Sequence, residues 1–251
     1  MFKSAVDLHR EDVHYRIYIV PQGSFNQVRL DDTMAILTSF YGTNAVKVLP
    51  SLPMPESIPK QGTFNYMCTP LFESIWKSLV VPDDALHLVI INELNMDHCG
   101  LLCAGQMENY VNPLVLTPVI ISFMPFTAGN RPEKDRIRDF AWKIISSFRY
   151  IYAKESPVSQ KERVRKTGYG IDRENCTSWT CIFQTGLWWE EASQNLRLTM
   201  CSKCQREFLE ADFEKIHNDL IGYLKTMSVK IVKPEEIPSL VTAKKDESGK
   251  R

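Results

Sequence analysis

The 251-residue chain lacks an excess of either charge: thirty Lys and Arg balance thirty Asp and Glu. That balance provides no long-range attraction for nucleic acid or an anionic membrane, so neither is expected as a partner. Also missing is any apolar run near the roughly 20 residues needed to cross a bilayer. The opening MFKSAVDLHREDVHYR has no apolar core of signal-peptide length. A soluble cytoplasmic protein is expected, with the nucleus as a further compartment. Internal repeats are absent as well. Without an export signal, seven cysteines, an odd number, argue against a disulfide framework and for reduced thiols or metal ligands. Asn175-Cys176-Thr177 formally matches a glycosylation acceptor, which a cytosolic chain does not use.

What is present is ample apolar content, 44% of residues, enough for a buried core. The stretch YRIYIVPQG alternates apolar and polar residues before a Pro/Gly break, and VKVLPSLP repeats the pattern, so both predict strands. Between them DDTMAILTSFYG carries acidic residues first and Gly42 last, the start and stop signals of a helix. SLPMPESIPKQGTFNY reads as a long surface loop. CTPLFESIWKSLV suits a helix, and the nearly continuous apolar run ALHLVIINEL predicts a central strand buried on both faces. NPLVLTPVIISFMPF suggests one or two strands interrupted by Pro118.

From Glu133, the residues Ile137, Phe140, Ala141, Ile144, Ile145, Phe148 and Ile151 recur at intervals of three and four, which predicts one long helix crossing the core. AKESPVSQKERVRKTG then reads as an exposed, solvated insertion. Leu209, Phe213, Ile216 and Leu220 mark a C-terminal amphipathic helix over about 206–226. The fold class expected is mixed α/β in a single domain over 1–240, followed by a disordered tail at 241–251.

Four cysteines form two pairs. Cys176 and Cys181 enclose four residues, Cys201 and Cys204 enclose two, and nineteen separate the pairs. Two knuckles on a hairpin-length spacer can bring four thiolates to one tetrahedral Zn2+, and a filled sphere makes the ion structural, with no open position for a catalytic water. Four ordinary buried thiols are the plain alternative. Cys68, Cys99 and Cys103 sit in or beside predicted core elements and read as small buried apolar residues. Trp188 and Trp189 in the spacer either cover the knuckle or anchor a partner.

At these residues CIFQTGLWWEEASQNLRLTMCSKCQREF resembles the archaemetzincins, zinc metallopeptidases of metzincin type. The likeness runs through Cys181, Gln184, Glu190-Glu191-Ala192, Leu196 to Leu198 and the closing cysteine pair. RIYIVPQGSF, FYGTNAVKVLPSLP, VPDDALHLVIINELNMD and GLLCAGQM extend it over most of the chain, nearer the animal archaemetzincin-2 group than the short prokaryotic members. The resemblance implies a metzincin-like mixed sheet with packed helices and a C-terminal four-cysteine zinc segment.

The family's His-Glu-x-x-His-x-x-Gly-x-x-His site is missing. Two His four apart on a helix, a Glu beside the first and a third ligand past a Gly turn are what zincin hydrolysis needs. The chain's histidines are His9, His14, His87, His98 and His217; none is followed by Glu or lies four from another. By placement Ser147, Phe148 and Ile151 occupy the ligand and base positions, Asn175 stands where the third His is expected, and Ile182 and Phe183 replace the family's Met. Losing general-base help alone forfeits roughly 10² to 10⁴-fold in rate. The resemblance therefore implies a peptide- or protein-binding relative with no catalytic residues and one structural zinc. Two alternatives stand beside it: an active metallopeptidase with non-standard ligands, and an interaction module whose cleft is filled by side chains such as Phe148 and Tyr152. A site rebuilt from His87, Glu93 and His98 is disfavoured, because six residues of strand hold His87 and Glu93 too far apart for one ion. His98 beside Cys99 is a nucleophile pair in sequence only.

Overall fold

The protein is described by a computed structural model that covers residues 16–42, 44–54, 60–61, 65–66, 74–94, 101–103, 118–127, 130–155 and 201–237. Its centre is a five-stranded sheet built from β1 (Ile17–Pro21), β2 (Val46–Val48), β6 (His87–Asn92), β7 (Leu101–Cys103) and β8 (Val119–Ser122), in the order β2-β1-β6-β8-β7. Strands β2, β1, β6 and β8 are mutually parallel, and β7 closes the edge antiparallel to β8. The mixed α/β class read from the sequence is the fold observed.

Alternation sorts the strand side chains into two cores. Ile17, Ile19, Val89, Ile91, Val119 and Ile121 feed one cluster, while Tyr18, Val20, Leu88, Ile90 and Ile120 feed the other. All six residues of β6 are buried, which explains the unbroken apolar run from Leu88 to Ile91 at its middle: a central parallel strand has no solvent face. Helix α1 (Gln27–Tyr41) joins β1 to β2. It starts a turn earlier than its acidic residues suggest, because the Asn26 side chain accepts a hydrogen bond from Arg29 N at 3.1 Å. It stops at Gly42, whose φ of 95° is open to glycine and whose N–H donates to Thr38 O.

Helix α2 (Glu133–Glu155) crosses the first face, as the three-and-four spacing predicts. All seven of its stripe residues, from Ile137 to Ile151, are buried. Each of the six Ile and Phe burials contributes roughly 1.5–3 kcal/mol, so the stripe accounts for the helix. On the other face lie Trp76 and Leu79, from a short helical turn at 74–78 and its exit.

The amphipathic C-terminal helix expected over about 206–226 is two helices, α3 (Ser202–Glu210) and α4 (Phe213–Thr226). Ala211 is extended, and the Asp212 side chain caps α4 by accepting from Lys215 N at 2.9 Å. The break also turns Leu209 outward, 61% exposed, so it is no part of the stripe. Phe213 and Ile216 join the first core, Leu220 and Leu224 the second, so α4 ties the two together.

Two short ladders were not legible. β3 (Lys60–Gln61) pairs antiparallel with β4 (Asn65–Tyr66) inside the stretch expected as loop, and β5 (Val80–Pro82) pairs in parallel with β9 (Lys230–Val232). Ladders of two or three residues are too short to leave a period in sequence. No helix among the described residues is long and apolar enough to cross a membrane.

Candidate functional site

The positions where the resemblance expects metal ligands lie on the sheet-facing side of α2. Ser147, Phe148 and Ile151 are all buried, at 2%, 1% and 5% exposure. Ser147 and Phe148 meet His87 at the start of β6, where the imidazole is fully enclosed. Ser147 Oγ donates to Ile144 O at 2.7 Å, which uses its one proton. His87 Nε2, 2.9 Å from the same oxygen, is then the donor of the second bond, which assigns its proton to Nε2. Burial drives the His87 pKa down to about 3, so the ring is neutral.

Phe148 completes the packing. Its ring lies 5.6 Å from His87, 5.9 Å and nearly perpendicular from Tyr41, and 6.2 Å and stacked against Phe213. This is the chemistry of a core: aromatic faces and edges around one satisfied, uncharged imidazole. A hydrolytic zinc needs solvent access and three convergent donors. The side chains here offer one hydroxyl and one imidazole, both engaged with each other and enclosed.

The other described histidine, His217, does not converge on this point. His217 Nδ1 bonds Ala85 O at 2.9 Å, so that ring pins α4 to the approach of β6. Glu93 lies beyond the far end of β6 from His87 and is held by Arg29 at 2.6 Å. The disfavoured His87–Glu93 pairing is thus not formed. His9, His14 and His98 lie outside the described residues.

Of the four proposed zinc ligands, Cys201 and Cys204 are described. Cys201 takes the N-cap position of α3 and is half-buried; Cys204, one turn on, is fully buried beside Phe208. Neither is in a disulfide. Positions three apart at a helix start lie on one face. Cys176 and Cys181 lie outside the described residues, as do Asn175, Ile182, Phe183, Trp188, Trp189, Cys68 and Cys99. Cys103 ends β7. Among the described residues no three His, Cys, Asp or Glu are grouped to hold a metal ion.

Sequence reasoning missed one polar cluster. Gln22, Asn92 and Ser122 stand at the carboxyl ends of adjacent strands β1, β6 and β8, and all are buried. Asn92 Nδ2 donates to Gln22 Oε1 at 3.0 Å, while Leu94 N donates to Asn92 Oδ1 at 3.1 Å. Ser122 Oγ donates to Leu94 O and accepts from Met124 N. The network fixes where the chain leaves the sheet. Its only sequence signal is a polar residue at the end of each apolar run.

No family model and no curated protein sequence matches the chain. Among solved structures, the crystal structure of archaemetzincin (amzA) from Methanopyrus kandleri is similar at a TM-score of 0.47 and 10% identity, covering 84% of this chain and 98% of that one.

Proposed function

We propose that this chain is an archaemetzincin-like protein without hydrolytic activity, in which core packing takes the place of the catalytic zinc and the protein acts through binding peptides or proteins. The observation that carries the reading is the burial of Ser147, Phe148 and Ile151, with Ser147 bonded to His87 and Phe148 packed on His87, Tyr41 and Phe213. An aromatic ring at a ligand position cannot coordinate a metal, and its neighbours leave the imidazole of His87 bonded to Ser147. The same burial favours the alternative in which the old cleft beside α2 is filled, so that a peptide or protein would be bound on another surface.

The reading keeps one structural Zn2+ on Cys176, Cys181, Cys201 and Cys204. The placement of Cys201 and Cys204 on the first turn of α3 fits half of such a site. Bound there, the ion would cross-link the segment ahead of α3 to the core and carry out no chemistry on a substrate.

Metal analysis of the purified protein tests both parts. The expected result is about one zinc per chain, lost when Cys201 and Cys204 are changed to Ser. Two zinc ions per chain, or chelator-sensitive cleavage of an unstructured peptide library, would show the active-peptidase alternative to be right.

A further inference from the structure

The helical turn at 74–78 with its exit into β5, and the chain between α4 and β9, line a groove of about 480 Å³ on the side of the molecule served by the second core. That volume is in the range of small-molecule sites. Its residues grade from an apolar floor to a polar rim. Trp76 and Leu79 are buried and Met227 is half-buried, whereas Lys77, Ser78, Ser228 and Lys230 are exposed. No Asp or Glu lines the groove, and among the described residues neither lysine is paired with a carboxylate. Two unneutralised ammonium groups beside apolar surface form a local positive field in a chain whose net charge is zero.

The two walls are tied to each other. In the parallel ladder Val80 stands opposite Lys230, and the Trp76 ring meets Tyr223 of α4 edge-on at 6.1 Å. A groove formed in advance lowers the cost of binding. Ser228 is its unusual residue. With φ at 58° it is the only non-glycine at positive φ among the described residues. Its N–H donates to Lys225 O and the N–H of Val229 donates to Leu224 O, the pair of bonds that ends a helix on a left-handed residue. Glycine is the usual occupant of that position, because any side chain there carries a steric cost. Such strain clusters at functional sites, and what serine has that glycine lacks is a hydroxyl, here on a residue that lines the groove. The same two bonds occupy carbonyls at the end of α4 that would otherwise repel an anion.

We propose that this groove binds a small amphipathic carboxylate, its apolar body laid on Trp76, Leu79 and Met227 and its anionic group held at the rim by Lys77, Lys230 and the Ser228 hydroxyl. Each half of the ligand answers one half of the groove. A bare inorganic anion leaves the apolar floor uncovered, and a neutral ligand leaves both ammonium groups uncompensated. An anionic lipid surface is the poorer match, since such surfaces are met by clusters of about four to eight basic residues and this groove has two. The inference does not depend on the proposal for the α2 site.

The test is a nuclear magnetic resonance titration of the full chain with cinnamate, a flat aromatic carboxylate, beside cinnamamide, which has the same shape and no charge. Saturable binding of cinnamate is expected, at least about threefold tighter than cinnamamide, because charge pairs at exposed positions contribute modestly. Acetate, with the charge but no apolar body, should not displace cinnamate at equal concentration. Lys77→Glu/Lys230→Glu should weaken cinnamate at least about threefold, and Lys77→Arg/Lys230→Arg should retain it. Both lysines are exposed, so an unchanged urea midpoint certifies the fold of each double variant. Ser228→Gly gives an independent reading: relief of the backbone strain should raise the urea midpoint while affinity for cinnamate falls, a separation that a merely structural serine would not show. Equal affinity for cinnamate and cinnamamide, no saturable binding, displacement by acetate at equal concentration, indifference to charge reversal, or unchanged affinity in Ser228→Gly overturns the proposal.

Discussion

His87 on β6 and Ser147 on α2, sixty residues apart in sequence, meet at 2.9 Å in the interior of the fold. The contact makes a pH-dependent contribution whose sign follows from burial. The folded pKa is lowered to about 3 while the unfolded side chain keeps the ordinary value of 6.5. Between those values the unfolded chain binds the extra proton, so stability is fully present above about pH 6.5 and falls as pH drops toward 3. From pH 7 to pH 5 the loss from this one group is about 2 kcal/mol. Urea unfolding at the two pH values should show it, and the difference should shrink by that amount in His87→Leu. An imidazole that titrates near 6 in the folded protein, followed by NMR, would contradict the enclosed geometry.

Phe148 should be among the costliest side chains to truncate. It is 1% exposed and its ring meets three others. Phe148→Ala removes that packing and leaves a cavity between α2, β6 and α4, at a cost of about 3–5 kcal/mol. Leu209→Ala, at an exposed position on α3, should stay within about 0.5 kcal/mol of the parent. Chemical denaturation of the pair separates a packed core from an open cleft: a residue lining a solvent-filled groove would behave like Leu209.

The elements that the sequence revealed are those whose burial is one-sided and long, or complete. The α2 stripe repeats through about four turns, and β6 is apolar from Leu88 to Ile91 because it is covered on both sides. The break between α3 and α4 stayed hidden because apolar residues continue across it, and its cause is a single cap, Asp212 on Lys215 N. Ser147 and Phe148 were legible as poor metal ligands from their chemistry alone. Their partner His87 was not, since contacts across sixty residues depend on the register of α2 on the sheet, which no local pattern encodes. The same holds for the ladder of β5 and β9, which exists only because residues 80–82 and 230–232 are brought together.

Arg29 joins three elements at the opposite end of the sheet from His87. Its Nη1 lies 2.6 Å from Glu93 Oε1 beyond β6, its Nε lies 2.5 Å from Glu133 Oε1 at the start of α2, and its guanidinium carbon sits 4.5 Å from the Phe123 ring centroid. A planar fork can serve two carboxylates in different directions while stacking on a ring, whereas a lysine offers one compact charge. The group is partly exposed, so solvent screens it and the whole arrangement is worth about 1 kcal/mol, not several. Arg29→Lys should lose most of that. A double-mutant cycle between Arg29→Met and Glu133→Gln should return a coupling of about 0.5 kcal/mol at low salt that fades near 1 M NaCl. Persistence of the coupling at high salt would mean that the pair is better shielded than its exposure allows. The magnitude matters for the fold: α2 is held on the sheet by its apolar stripe, and Arg29 sets only where its first turn begins.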